Sequence, residues 1–257
     1  MKKQFLVIVT FVLIAVTGFF FNESGAQDKP DEYFKRMKGY KAMMPIKVLR
    51  KIPLPKGYHE GLYVDGKNVW VNNGENGNTW VVDTDTEKVV SEIKPVGTFT
   101  EGITEVPFKK YWVSDWDTEK IYKVRIENNK MIPEIEVSFK RSQPAGIVWN
   151  EEYLYAITWT RGFGTMYHLL RMNASGKVLD KIRIRGIQEP SQITWDGKSL
   201  WISSWFQRRV YKINEKTLKI EGYFRTNIEK TTGVAWDGKY FWLTGTAADL
   251  YQVELLD

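Results

Sequence analysis

The sequence predicts an all-β chain folded as a five-bladed β-propeller, with the last blade closed by the N-terminal strand. Three observations predict it. One unit recurs five times, each copy carries the same strand–turn–strand signature, and the segment before the first copy supplies what the last copy lacks.

The repeat is read by aligning Glu60-Gly61-Leu62, Glu101-Gly102-Ile103, Ala145-Gly146-Ile147, Ser191-Gln192-Ile193 and Thr232-Gly233-Val234. Their middle residues are spaced by 41, 44, 46 and 41 residues, the period of a four-stranded blade. Each unit opens with a short strand that runs into a turn. Asp65-Gly66, Asp196-Gly197 and Asp237-Gly238 mark that turn, and Asn150-Glu151 stands in for it in the third unit. Asp-Gly between apolar runs predicts a tight hairpin, because the turn needs positive φ. A second strand follows with Trp70, Trp112, Tyr155, Trp201 or Trp242, and a third alternates, as in Val210-Tyr211-Lys212-Ile213. The fourth strand is exemplified by Val178 to Ile184. The chain stops after the third strand of the last unit, while Ile46 to Leu54 reads as a lone strand before the first. Pairing the two closes the ring over residues 46–257 and avoids an open edge.

The N-terminus predicts export. Lys2 and Lys3 precede an apolar run from Phe5 to Phe21, and Ser24 and Ala26 are small. Residues 1–26 therefore read as a secretory signal cleaved after Ala26, with an uncleaved membrane anchor as the alternative. The expected location is periplasmic or extracellular, and the membrane is a partner only if the signal stays. Residues 27–45 form a leader. An exported chain without cysteine has neither disulfides nor thiolate chemistry. Its stability must come from a packed core, consistent with 43% apolar residues and an aromatic share of 14%. The net charge is +6, or +5 once Lys2, Lys3 and Glu23 leave with the signal. The basic residues are scattered; Arg183, Arg185, Arg208 and Arg209 come nearest to a cluster. No nucleic-acid partner is expected, because that needs a denser stripe or a recognisable module. A monomer is expected.

Periodicity also sorts the aromatics. Trp70, Trp112, Tyr155, Trp201 and Trp242 recur in every unit and predict blade-on-blade core. Trp116, Trp159 and Trp205 lie four residues further on in three units, where the others have Gly74 and Thr246. They predict either the wall of a pocket at the mouth of the channel or packing along its rim. Glu60, Glu101, Ala145, Ser191 and Thr232 precede the inner strands and should face the same mouth. Two carboxyl groups beside three indoles suit a small-ligand site, and burial can raise one of them into an acid–base group. The alternative is a pair of carboxylates bonded to strand ends. His59, next to Glu60, is either a rim acid–base group or a surface histidine; His168 falls in a third strand and reads as structural. Two separated histidines without cysteine make no zinc site. The oxygen-rich Asn72, Asn73, Glu75, Asn76 and Asn78 lack calcium-loop spacing and read as a turn. No metal or cofactor is expected, and the sequence has no phosphate-binding glycine loop or nucleophile elbow.

With these residues in place, the chain resembles the plant and bacterial type of glutaminyl-peptide cyclotransferase, a five-bladed propeller, over about residues 46–257. The family's Phe-Thr-Gln/Glu-Gly-Leu and Phe-Gly-Glu-Gly-Leu openings compare with Tyr58-His59-Glu60-Gly61-Leu62 and Phe99-Thr100-Glu101-Gly102-Ile103. Its Trp-Ala-Asn-x-Trp compares with Trp201-Ile202-Ser203-Ser204-Trp205, and its last blade with Thr232-Gly233-Val234-Ala235 and Thr244-Gly245-Thr246. The resemblance implies metal-free cyclisation of an N-terminal glutamine to pyroglutamate. It implies Glu101 as the catalytic acid–base residue and Trp205 as a pocket residue. Several positions depart from the family: its lysine is Thr246, two asparagines are Ser203 and Thr232, a third-blade tryptophan is Ala145, and its Leu-Asn-Glu-Leu-Glu stretch is replaced near Glu189-Pro190-Ser191-Gln192. The expected ligand is a small molecule or a peptide N-terminus, held by Glu60, His59, Trp116, Trp159 and Trp205. The alternatives are a non-catalytic protein-interaction propeller and a propeller like the lyases and lactonases.

Overall fold

Twenty strands make up five four-stranded antiparallel sheets in a computed structural model that describes residues 43–162 and 164–256. The signal and residues 27–42 of the leader lie outside the described residues. There is no helix among the described residues, and so none long and apolar enough to cross a membrane.

The chain enters through β1 (Ile46–Ile52). Blade I follows as β2 (His59–Asp65), β3 (Asn68–Asn73), β4 (Thr79–Asp83) and β5 (Lys88–Ile93). Blade II is β6 (Thr100–Val106), β7 (Lys110–Asp115), β8 (Lys120–Glu127) and β9 (Lys130–Ser138). Blade III is β10 (Ser142–Trp149), β11 (Leu154–Gly162), β12 (Gly164–Met172) and β13 (Val178–Arg183). Blade IV is β14 (Pro190–Trp195), β15 (Ser199–Ser204), β16 (Arg209–Asn214) and β17 (Ile220–Arg225). Blade V is β18 (Thr231–Trp236), β19 (Phe241–Gly245) and β20 (Leu250–Leu255), completed by β1 in the order β1-β20-β19-β18. The register runs from Ile46 opposite Leu255 to Ile52 opposite Leu250. The N-terminal strand thus closes the ring as the repeat count predicts. Just before it, Met44 donates its main-chain N–H to the Tyr223 carbonyl on the outer strand of blade IV, at 2.8 Å.

The inner hairpins turn where the sequence marks them. Gly66, Gly197 and Gly238 have φ of 59°, 90° and 98°, and Glu151 adopts 74° in their place. The Asp196 and Asp237 carboxylates each accept two main-chain N–H groups of their own turn. Each also accepts the indole N–H of its blade's core tryptophan: Trp201 at 2.7 Å and Trp242 at 2.8 Å. One acidic residue therefore fixes both the turn and the rotamer of the neighbouring strand's largest side chain.

Five apolar clusters hold the ring, one between each pair of adjacent blades. Each recurrent aromatic faces the next blade. Trp70 stacks on Tyr111 of blade II with centroids 5.1 Å apart, and Trp201 meets Phe241 of blade V edge-on at 4.8 Å. Trp242 joins Leu62, Val69 and Val71 of blade I, with Ile52 of β1 in the same cluster.

Candidate functional site at the channel mouth

Every inner strand is interrupted at the same place. Register shifts fall between His59 and Leu62, Thr100 and Gly102, Pro144 and Ile147, Pro190 and Ile193, and Thr231 and Gly233. Glu60, Glu101, Ala145, Ser191 and Thr232 sit at or beside these bulges. They were expected just before the inner strands, whereas the strands begin earlier and the residues lie within them. A bulge bends the strand and re-aims one side chain.

One step down the axis the ring narrows to Gly61, Gly102, Gly146, Gln192 and Gly233. A Cβ on Gly61 would lie 2.2 Å from the Glu101 carbonyl oxygen, so a side chain there cannot be accommodated without shifting the backbone. Blade IV alone carries a side chain at this level. Gln192 is buried, donates to the Leu62 carbonyl of blade I at 3.2 Å, and fills the space in front of Gly61, Gly102 and Gly146. The glutamine plugs the axis of the ring.

Above it lies a cavity of about 280 Å³. It is lined by Glu60, Glu101, Ala145 and Ser191 from the bulges, by Trp159 from the second strand of blade III, and by Trp116 and Trp205 just past the second strands of blades II and IV. Tyr58, Phe99 and Glu189 complete the lining. These three were not singled out as site residues. They share one repeat position, two residues before the bulge residue and immediately before the inner strand. Tyr58 and Phe99 meet edge-on at 6.1 Å, and a Cβ on Gly74 would strike both, so they take the room left where blade I lacks a tryptophan. Trp116 and Trp159 pack edge-on at 5.2 Å. Trp159 is fixed by its indole N–H, which donates to the Pro190 carbonyl at 2.8 Å.

The carboxyl groups of Glu60 and Glu101 are buried and hydrogen-bonded to each other. Burial raises both: Glu101 to about 8, and Glu60 well above the usual carboxylate range, with Glu101's charge pushing Glu60 further. Glu189 is raised by burial alone, and its Oε2 has no hydrogen-bond partner among the described residues. Burial, followed by the nearby Glu60, also raises the Tyr58 phenol.

His59 does not line the cavity. Its neighbour Glu60 faces in, whereas the His59 ring is buried edge-on to Trp80, with its two nitrogens against the carbonyls of Ala248 at 2.7 Å and Pro55 at 2.9 Å. Nor do Ser203, Thr232 and Thr246 line it. Thr232 donates to the His59 carbonyl at 2.8 Å, and Ser203 accepts the Gln192 N–H at 2.9 Å. Asn73 and Asn76 accept main-chain N–H groups two residues on, building the turn read from the sequence. Among the described residues no three His, Cys, Asp or Glu side chains gather as metal ligands.

No protein-family model matches the sequence, and no curated protein does. The fold is similar to that of Myxococcus xanthus glutaminyl cyclase, with a TM-score of 0.67 and 12% identity over 85% of this chain and 99% of that one. It is also similar to the Swd1 β-propeller domain of Myceliophteria thermophila, at 0.50 and 9% identity over 82% and 100% of the two chains. Virginiamycin B lyase from Staphylococcus aureus matches at 0.48 and 19% identity, over 79% and 68%. At these identities the likeness is one of fold.

Proposed function

We propose that the cavity is a receptor for a protonated amine, carried by a small molecule or a peptide N-terminus, and that the chain is a divergent relative of the glutaminyl cyclases. One observation carries this reading: three carboxyl groups stand in a largely aromatic cavity whose lining contains no Lys or Arg. Indole faces and carboxylates both attract ammonium ions. In this reading the chain works after export, outside the cytoplasm.

The same groups suit cyclisation of an N-terminal glutamine. The α-amine nitrogen attacks the side-chain carboxamide carbon; the new N–C bond closes the ring, the old C–N bond breaks, and ammonia leaves. The proton lost by the amine must reach the departing nitrogen, and Glu101 is the group suited to carry it. Burial raises Glu101 to about 8, so it is mostly protonated at neutral pH. An ammonium ion beside it favours the carboxylate and lowers that value. The ligand thereby generates the base that its own amine requires. Binding without turnover is the second reading. It is favoured by the hydroxyls of Ser203 and Thr232, which are engaged in the channel wall, and by Thr246, which lies away from the cavity.

The test offers the purified protein short peptides that begin with glutamine. Loss of ammonia, read by mass spectrometry and absent in Glu101→Gln, supports the cyclase. Calorimetric binding of the same peptides without ammonia release supports the receptor alone. Neither binding nor release rejects both.

A further inference from the structure

The mouth above the cavity has a charge of its own. Lys230 occupies in blade V the repeat position held by Tyr58, Phe99 and Glu189 in other blades, and its ammonium lies 4.8 Å over the ring of Trp205. Arg161 lies two residues beyond Trp159 on β11, on the same face, and its guanidinium sits 5.7 Å over the ring of Trp116. Both are exposed, and among the described residues neither is ion-paired. The acids at this level are Asp117, exposed, whose carboxylate accepts from the Thr98 hydroxyl at 3.5 Å, and Glu189, which holds Lys230's repeat position in blade IV. Along the axis of the ring the paired carboxyl groups of Glu60 and Glu101 thus lie at the bottom, and two cations rest on tryptophans at the top beside these two acids.

We infer that the ligand is a zwitterion, a free amino acid or dipeptide, whose ammonium group is held by Glu60 and Glu101 and whose carboxylate is held at the rim by Arg161 and Lys230. This rests on the amine reading of the cavity and narrows it. A cavity of about 280 Å³ lies just under the range that drug-sized ligands fill, which suits a molecule whose two ends are one or two residues apart. A long peptide would have a neutral amide where the rim cations stand and would leave them without a counter-charge.

The experiment compares alanyl-glycine with alanyl-glycinamide by calorimetry at low ionic strength. Neither has a side-chain amide that can cyclise, and the two differ only in the terminal carboxylate. An acidic cavity alone prefers the amide, which is a net cation. The zwitterion site prefers the free dipeptide by roughly fivefold, the size of two partly exposed charge pairs. That preference should vanish in Arg161→Gln/Lys230→Gln, survive in Arg161→Lys/Lys230→Arg, and shrink in high salt. Equal affinities, a preference for the amide, or a dipeptide preference unchanged in the glutamine variant would overturn the inference while leaving the amine receptor standing. If neither probe binds the folded protein, the amine reading falls and this inference with it.

Discussion

Glu101 is the residue on which the proposed chemistry and the pH response meet. Its folded value of about 8 lies above its ordinary 4.5. Between those values the folded protein holds a proton that the unfolded chain releases, so its stabilisation is present in acid and is lost as pH rises towards 8. Glu60 and Glu189 are raised too and act in the same direction. The melting temperature of the ligand-free protein should therefore fall between pH 5 and pH 8, and Glu101→Gln should flatten that fall without unfolding the protein at pH 5. Amine binding at pH 7 should release up to about one proton, read as a dependence of the calorimetric heat on the buffer's ionisation enthalpy. Glu60, Glu101, Trp116, Trp159 and Trp205 were legible in the sequence because five aligned copies separate what every blade needs from what a few blades share. Tyr58, Phe99, Glu189 and Lys230 occupy an equally regular position, but its residue types differ so much that no pattern stands out. His59 was misplaced because neighbouring residues on a strand point to opposite sides, and the bulge then alters which of them faces the axis.

At the scale of the strand, the second strands carry the load of blade packing. Truncating Trp70 to alanine should cost about 3–5 kcal/mol in denaturant unfolding, as core aromatic deletions do. A subtler comparison isolates the turn. The Trp201 indole N–H is held by Asp196, whereas the Trp70 Nε1 has no partner among the described residues. Trp201→Phe should therefore be the more damaging of the two phenylalanine variants by about 1 kcal/mol, the net worth of one hydrogen bond. The Asp-Gly pairs reveal the turns because positive φ has few solutions. They do not reveal the aspartate's second task, since that bond is made to a residue five positions away whose rotamer is decided by the neighbouring blade. The bulges were invisible too: they insert no glycine in αL geometry and follow from crowding around the axis.

At the scale of the molecule, the ring is closed by a strand taken from the far end of the chain, and Ile52 anchors it in the cluster between blades V and I. Starting the chain at residue 53 should leave β20 as an open edge, and size-exclusion chromatography should then show association that the full ring does not. Closure was legible because it is arithmetic: four strands per unit, one missing at the end, one spare at the beginning. The plug was not, because Gln192 looks in the sequence like a blemish in a glycine position.

That glutamine makes the ring a vessel with one door. A ligand of the proposed kind would meet Gln192 at the axis and would leave by the mouth through which it came. An occupant that lingers blocks the next arrival outright, so any spent ligand would compete directly with fresh ligand rather than modulate it from elsewhere. The residence time of whatever leaves would therefore set the pace of the site.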